Sequence, residues 1–299
     1  MLVLSRADVE SLLDLDELIG ALARAHAELS AGCVSMPARI AAFAADGLLG
    51  AMPAYLPSAG LGAKLVSLFP HNRPPVPTHQ ALIALFDERG IAAALMDGTY
   101  ITAMRTAAGA ALAAKLLARE DAKTLAILGT GVQGQAAREM FPRVRDFTEI
   151  RMAGRGEFEE AVRGADVVHA ATHSAEPIVE ADWLAEGVHV GSVGYNAPGS
   201  ELDPAIVARA DVICVESRDS SFAPPPGGAP ELAGVDPASV VELGELVAGG
   251  RPGRGGPAEI TLYKSVGVAI QDLAAAALVL RAAQERNIGL EIELEEMHA

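Results

Sequence analysis

The chain has 299 residues, which at about 150 per domain suggests two domains. Hydrophobic residues make up 51% and charged residues 21%, a globular rather than a disordered composition, and with only 4% aromatics the core has to be built from Ala, Val, Leu and Ile. A net charge of −16, from 23 basic and 39 acidic residues, excludes nucleic acid as a general partner and disfavours anionic membrane surfaces.

The opening MLVLSRADVE has too short an apolar stretch for a signal peptide, and no basic segment precedes it. Asp14 to Leu29 carries apolar residues at helical spacing, with Asp14 as N-cap and Gly32 just past the end. Met36 to Phe86 alternates short apolar stretches with Gly and Pro, the pattern of a strand-and-turn meander. Gly98 to Arg119 returns to helix. Thr124 to Leu128 is a short apolar strand, and Gln135 to Met140 is helical. Strands are expected at Ile150–Met152, Val167–His169, Val188–Val190 and Val212–Val215. Strands and helices in alternation predict a parallel sheet covered by helices. Ser220 to Gly234 and Gly249 to Pro257 read as Pro/Gly-rich surface loops. Ser265 to Arg286 is a long Ala-rich helix candidate, and alternation over Leu290, Ile292 and Leu294 predicts a terminal edge strand. The run Leu273 to Leu280 ends at Arg281, far short of the roughly 20 residues of a membrane span. The expectation is a cytoplasmic protein that associates with no membrane. Cys33 and Cys214 are expected to be free, buried thiols in a reducing compartment.

Gly129, Gly131 and Gly134 form G-x-G-x-x-G between a predicted strand and a predicted helix. Gly129 allows the tight turn, Gly131 lets the backbone approach a pyrophosphate, and Gly134 lets the helix pack close to the strand. The helix N-terminus then stabilises the anion, so Thr130, Val132 and Gln133 fall within the same dinucleotide cradle. The next strand, EIRMAGR, is where an NAD site places Asp or Glu against the adenosine ribose. This chain has Gly154 and then Arg155, with no carboxylate to repel a 2′-phosphate, so the cofactor is expected to be NADP or NAD with NADP slightly favoured.

The stretch AKLVSLFPHNRPPVPTHQALIALFDERGIAAALMDGTYITAMRTAAGAALAAKLLAR resembles the ornithine cyclodeaminase/mu-crystallin family. So do MPAYLP, LGTGVQGQA, GADVVHAAT and EITLYKSVGVAIQDLAAAALV. The resemblance runs from about Asp14 to Ile288. It implies an α/β fold: a Rossmann domain over 117–267, and an α+β substrate-binding and dimerisation domain over 1–116 with 268–299. It also implies a homodimer and NAD(P)-dependent hydride transfer on an α-amino or α-imino acid. Arg39, Lys64 and Arg105 match the family's substrate-carboxylate site, a role that suits their chemistry. An arginine fork grips a carboxylate in two places, and a desolvated lysine among cations can handle a proton. By the same resemblance Thr78 lines the substrate side, Thr106 lies near the cofactor phosphates, and Lys264 and Val266 belong to the segment that passes the nicotinamide.

Two departures stand out. Cyclodeaminases carry an Asp in a motif like GGDxPGK, and here Asn196 takes its place in Gly194–Gly199 with the following Lys absent. An amide cannot accept a proton at neutral pH, although it can orient a water or an amine, so Asn196 argues against ornithine cyclisation and leaves imine reduction open. Second, only GEFEEAVR separates MAGR from GADVV, so one βα unit of roughly 20 residues is missing at the adenosine end. That shortening favours an alternative, a non-catalytic NADP- or small-ligand-binding protein. The intact Arg39/Lys64/Arg105 set favours an enzyme. His169 and His173 follow a strand and lack a third ligand, so no metal site is expected.

Overall fold

A capping box opens the first helix: Ser5 Oγ accepts from the Asp8 amide while the Asp8 carboxylate accepts from the Ser5 amide. This helix, α1 (Arg6–Leu12), and the strand before it, β1 (Leu2–Leu4), were not anticipated from sequence. α2 (Leu15–Ser30) is capped by Asp14, whose carboxylate accepts from the amides of Asp16 and Glu17. The meander follows as β2 (Ile40–Ala44), β3 (Gly47–Leu56), β4 (Gly60–Leu68) and β5 (His79–Phe86), each antiparallel to the one before. β6 (Ala92–Asp97) is antiparallel to β5 and parallel to β1, and α3 (Thr99–Leu117) comes next.

The second half alternates strand and helix: β7 (Thr124–Leu128), α4 (Val132–Met140), β8 (Glu149–Ala153), α5 (Phe158–Val162), β9 (Val167–Ala170) and β10 (His189–Ser192). It continues with α6 (Pro204–Arg209), β11 (Val212–Val215), α7 (Arg218–Ser221), β12 (Val241–Glu242), α8 (Leu243–Val247) and β13 (Thr261–Lys264). Finally come α9 (Ala269–Arg286) and β14 (Leu290–Glu291). The computed structural model describes residues 1–194, 199–225 and 227–294. It divides into two units, Met1–Arg105 with Ala269–Ala299 and Thr106–Val268, so the boundary falls inside α3.

The first unit is a seven-stranded sheet in the order β14-β1-β6-β5-β4-β3-β2, with α9 packed across β3, β4 and β5 and α2 against α9. Strand alternation sends Met52, Ala54, Lys64, Ile83 and Leu85 to the covered face. The opposite face leaves Ile40, Leu49, Tyr55, Leu61, Leu65 and Leu82 exposed. Leu61 stands opposite Tyr55 and Leu65 opposite Leu82, so these side chains form a continuous apolar row.

The second unit is a seven-stranded, all-parallel sheet in the order β12-β11-β13-β10-β9-β7-β8. β8 lies on one side of β7 and β9 on the other, so strand order reverses at β7. A doubly wound sheet binds its ligand outside the carboxyl ends of the strands at such a switch point. β8 is an edge strand; the next strand in the chain, β9, pairs on the far side of β7. The βα unit missing from the sequence is therefore the one that would extend the sheet beyond β8.

Three sequence expectations need correction: the start of the late helix, the burial of Cys33 and the length of the terminal strand. The late helix begins at Ala269 rather than Ser265, because Gly267 takes a positive φ of 75° and residues 265–268 form a loop. β13, unanticipated, is a fully buried central strand between β10 and β11. Cys33 is exposed just beyond α2, while Cys214 is buried; both are free. The terminal strand is short, with Leu290 and Glu291 pairing with β1. No helix among the described residues is long and apolar enough to cross a membrane.

Candidate active site

Lys64 lies in the middle of β4 on the face that α9 covers, flanked across the sheet by Met52 and Ile83, and is 2% exposed. An ammonium among apolar neighbours needs an anion. Asp272, in the first turn of α9 and fully buried, supplies it at 2.8 Å. The same carboxylate accepts from Arg105 Nε at 2.9 Å, and Arg105 Nη1 donates to Gln271 Oε1 at 2.9 Å. Gln271 Nε2 in turn lies 3.0 Å from His26 Nε2 on α2. Two buried cations thus share one carboxylate. Burial and the neighbouring Arg105 push the Lys64 ammonium down to about 8, against the opposing pull of Asp272; Arg39 adds to the depression from the start of β2. Thr78, half-buried at the entry to β5, bonds through Oγ1 to His79 Nδ1 at 3.1 Å.

In the second unit the three glycines meet at the end of β7. Gly129 has φ of 118°, and a Cβ there would stand 2.5 Å from the Ala171 carbonyl beyond β9. A Cβ on Gly134 would stand 1.9 Å from the Gly129 carbonyl. One on Gly131 would meet nothing within 4 Å, so the middle of the cradle is open where a pyrophosphate has to approach. α4 starts there with Gly131 as its N-cap; Thr130 and Val132 are exposed and Gln133 is half-buried. These residues fit a dinucleotide.

A second layer of carboxylates holds the strand ends of this sheet. Glu201, 2% exposed, accepts from Ser192 Oγ, the Gly194 amide, and both the amide and hydroxyl of Thr172. Glu216, fully buried beyond β11, accepts from Ser265 Oγ and from the amides of Val266 and Gly267 at 2.8 and 2.7 Å. The Lys264 ammonium is enclosed by Ser192 Oγ, the Gly194 carbonyl and Glu231 at 2.7–3.0 Å. Its side chain braces β13 against its neighbours rather than facing an open cradle. Thr106 is buried in α3, and Arg155 is exposed with no hydrogen bond or ion pair among the described residues. Asn196 lies outside the described residues.

The family model for the ornithine cyclodeaminase/mu-crystallin family matches residues 1–159 and 153–287. The chain belongs to this family. It is 38% identical over 256 residues to the ketimine reductase mu-crystallin of Mus musculus, covering 78% of this chain and 80% of that protein. It superposes on the Delta(1)-pyrroline-2-carboxylate reductase of Thermococcus litoralis, solved with NADH and L-proline, with a TM-score of 0.90, 34% identity and coverage of 98% and 100% of the two chains. An archaeal alanine dehydrogenase dimer with bound NAD matches with a TM-score of 0.91 and 32% identity over 99% of each chain. The two segments of the family match meet directly after β8, where the βα unit is missing.

Of the three residues expected to hold a substrate carboxylate, Lys64 and Arg105 come together on Asp272. Asp272 and Gln271 escaped the sequence reading, although an Asp inside the Ala-rich stretch VAIQDLAAAAL was the signal. Glu201 and Glu216 escaped it too; Glu201 lies in the loop before α6 and Glu216 just past β11, and at neither place does the sequence tell a buried acid from a solvated one. His169 packs its ring 5.0 Å from Phe141, and burial alone pushes it down to about 4, so it is a neutral core residue.

Proposed function

We propose that this chain is an NAD(P)-dependent reductase of cyclic or linear α-imino acids, which in reverse oxidises the corresponding amino acid. The observation that carries this reading is the enclosed cluster in which Lys64 and Arg105 share the single carboxylate of Asp272. A substrate carboxylate supplies the second anion that two buried cations call for. Arg105 and Arg39 hold that carboxylate, with Thr78 on the same side. Lys64, poised near neutrality, gives its proton to the imine nitrogen as the carbon is reduced, and takes one from the amine in reverse.

The glycine cradle of residues 129–134, with Thr106, Arg155 and Val266, holds the dinucleotide, and Lys264 supports it from behind. When bound, the nicotinamide supplies or takes up the hydride. The named activities of the relatives, ketimine reduction, pyrroline-2-carboxylate reduction and alanine dehydrogenation, are all hydride transfers of this kind.

The first unit serves as the substrate and dimerisation domain. The exposed apolar row on β2–β5 pairs with the same row of a second copy, an isologous contact. The alanine dehydrogenase relative was solved as a dimer.

The test is NADH and NADPH consumption with a panel of cyclic and linear α-imino acids, with ornithine plus NAD as the competing assay. Consumption with at least one imino acid supports the reading. Release of ammonia from ornithine with no imine reduction replaces it with a cyclodeaminase.

A further inference from the structure

In a doubly wound sheet, the strand after the fingerprint helix ends beside the adenosine ribose. A carboxylate there binds the 2′-hydroxyl and rejects a 2′-phosphate. Here that strand is β8, and the residue just past it is Gly154, which has no side chain to offer. The chain supplies the carboxylate from three residues further on. It turns back at Gly156, whose φ is 92°, and Glu157 Oε2 accepts from the Gly154 amide at 2.9 Å. The same oxygen lies 3.5 Å from the position a Cβ of residue 154 would take, so it occupies the space into which a side chain at 154 would project.

We propose that Glu157 reads the adenosine ribose and sets a preference for NADH over NADPH. This rests on the cofactor reading above. Three features carry it. The carboxylate is anchored at the strand end, and Oε1 has no partner among the described residues, which leaves it open to a ribose hydroxyl. The Gly154 amide, which could otherwise donate to a phosphate oxygen, is already engaged. Arg155, the only cation in this turn, is exposed and has no contact that fixes it. A 2′-phosphate would bring two negative charges against a fixed third, while a hydroxyl donates a hydrogen bond to it. The missing βα unit explains why Glu157 is available. The shortened path from β8 to β9 brings the start of α5 directly to the end of β8, at the seam of the two family matches.

The test is a titration of the full chain with NADH and with NADPH, followed by nucleotide fluorescence, for wild type, Glu157→Gln, Glu157→Ala and Arg155→Ala. Wild type is expected to bind NADH at least about tenfold more tightly than NADPH. Both Glu157 variants should bring the two affinities close together, mainly by tightening NADPH. Arg155→Ala should weaken both nucleotides by a similar factor. Tighter NADPH binding by wild type, or a ratio unmoved in both Glu157 variants, overturns the proposal and leaves the cofactor reading standing. If neither nucleotide binds wild type, both fall.

Discussion

Lys64 on β4 and Asp272 on α9 form a buried ion pair in the first unit. Lys64 is held low by burial and Arg105, and is held up only by Asp272. With Lys64 as the proposed proton donor, reduction requires its ammonium form, so kcat/KM for imine reduction should be level below about pH 8 and fall above it. Oxidation of the amino acid needs the neutral amine and should rise through the same range. Asp272→Asn removes the one group that favours the charged form, so both limbs should move to lower pH. Limbs that stay in place would show that Lys64 is not the titrating group. With the substrate carboxylate on Arg105 as proposed, Arg105→Met should cost about 1.5–3 kcal/mol of binding and raise KM for the imino acid by roughly ten- to a hundredfold. Steady-state kinetics with the best substrate checks this. An unchanged KM would place the substrate carboxylate elsewhere.

Lys64 was legible in the sequence because a lysine in an apolar strand is costly without a partner, and the family motif around it is distinctive. Its partner was not legible. Asp272 is more than 200 residues away, and only the packing of α9 on β4 pairs them. The same limit applies at Glu157. A reading that looks for a carboxylate at the strand end finds Gly154, and the backward turn through Gly156 is a property of backbone geometry.

At the scale of elements, the turn from β7 into α4 makes two glycines differ in a measurable way. A Cβ at position 134 runs into the Gly129 carbonyl at 1.9 Å, so Gly134→Ala should force the strand and helix apart and cost about 3 kcal/mol. A Cβ at position 131 meets nothing, so Gly131→Ala should fold with an unchanged Tm and still lose nucleotide affinity, because the methyl stands where the pyrophosphate approaches. Thermal melts with and without nucleotide separate the two. Equal loss of Tm in both variants would mean that the turn is only structural. The fingerprint strand, its helix and most of the parallel strands could be placed from apolar runs alone. β13 could not, because TLYK carries a lysine and a tyrosine. Lys264 is tolerated in a central strand because three acceptors enclose its ammonium. The loop at 265–268 looked helical by composition, and the helix is prevented there by Gly267 and by the two amides committed to Glu216.

At the scale of the whole molecule, the missing βα unit was visible as a departure from the family pattern, and β8 as an edge strand is its consequence. The apolar row on the first unit could not be read from sequence, since both faces of β3 and β4 carry apolar residues. Only the packing of α9 on one face shows which row is left uncovered. Leu65→Glu places a charge in the centre of that row, opposite Leu82, and should convert a dimer to a monomer of 30.8 kDa by light scattering. A wild-type monomer would show that the row does not pair two copies.

The proposed reaction is hydride transfer from a nicotinamide to the imino carbon of an amino-acid precursor, with Arg105 and Lys64 at its carboxylate and nitrogen. The most direct measurement supplies NADH deuterated at C4 of the nicotinamide, with an α-imino acid that supports turnover, and locates the label by mass spectrometry and NMR. One deuterium is expected on the α-carbon of the amino-acid product, at a rate that collapses in Lys64→Met and Arg105→Met. An amino-acid product without deuterium when both C4 positions are labelled, or no turnover with any imino acid, would contradict it.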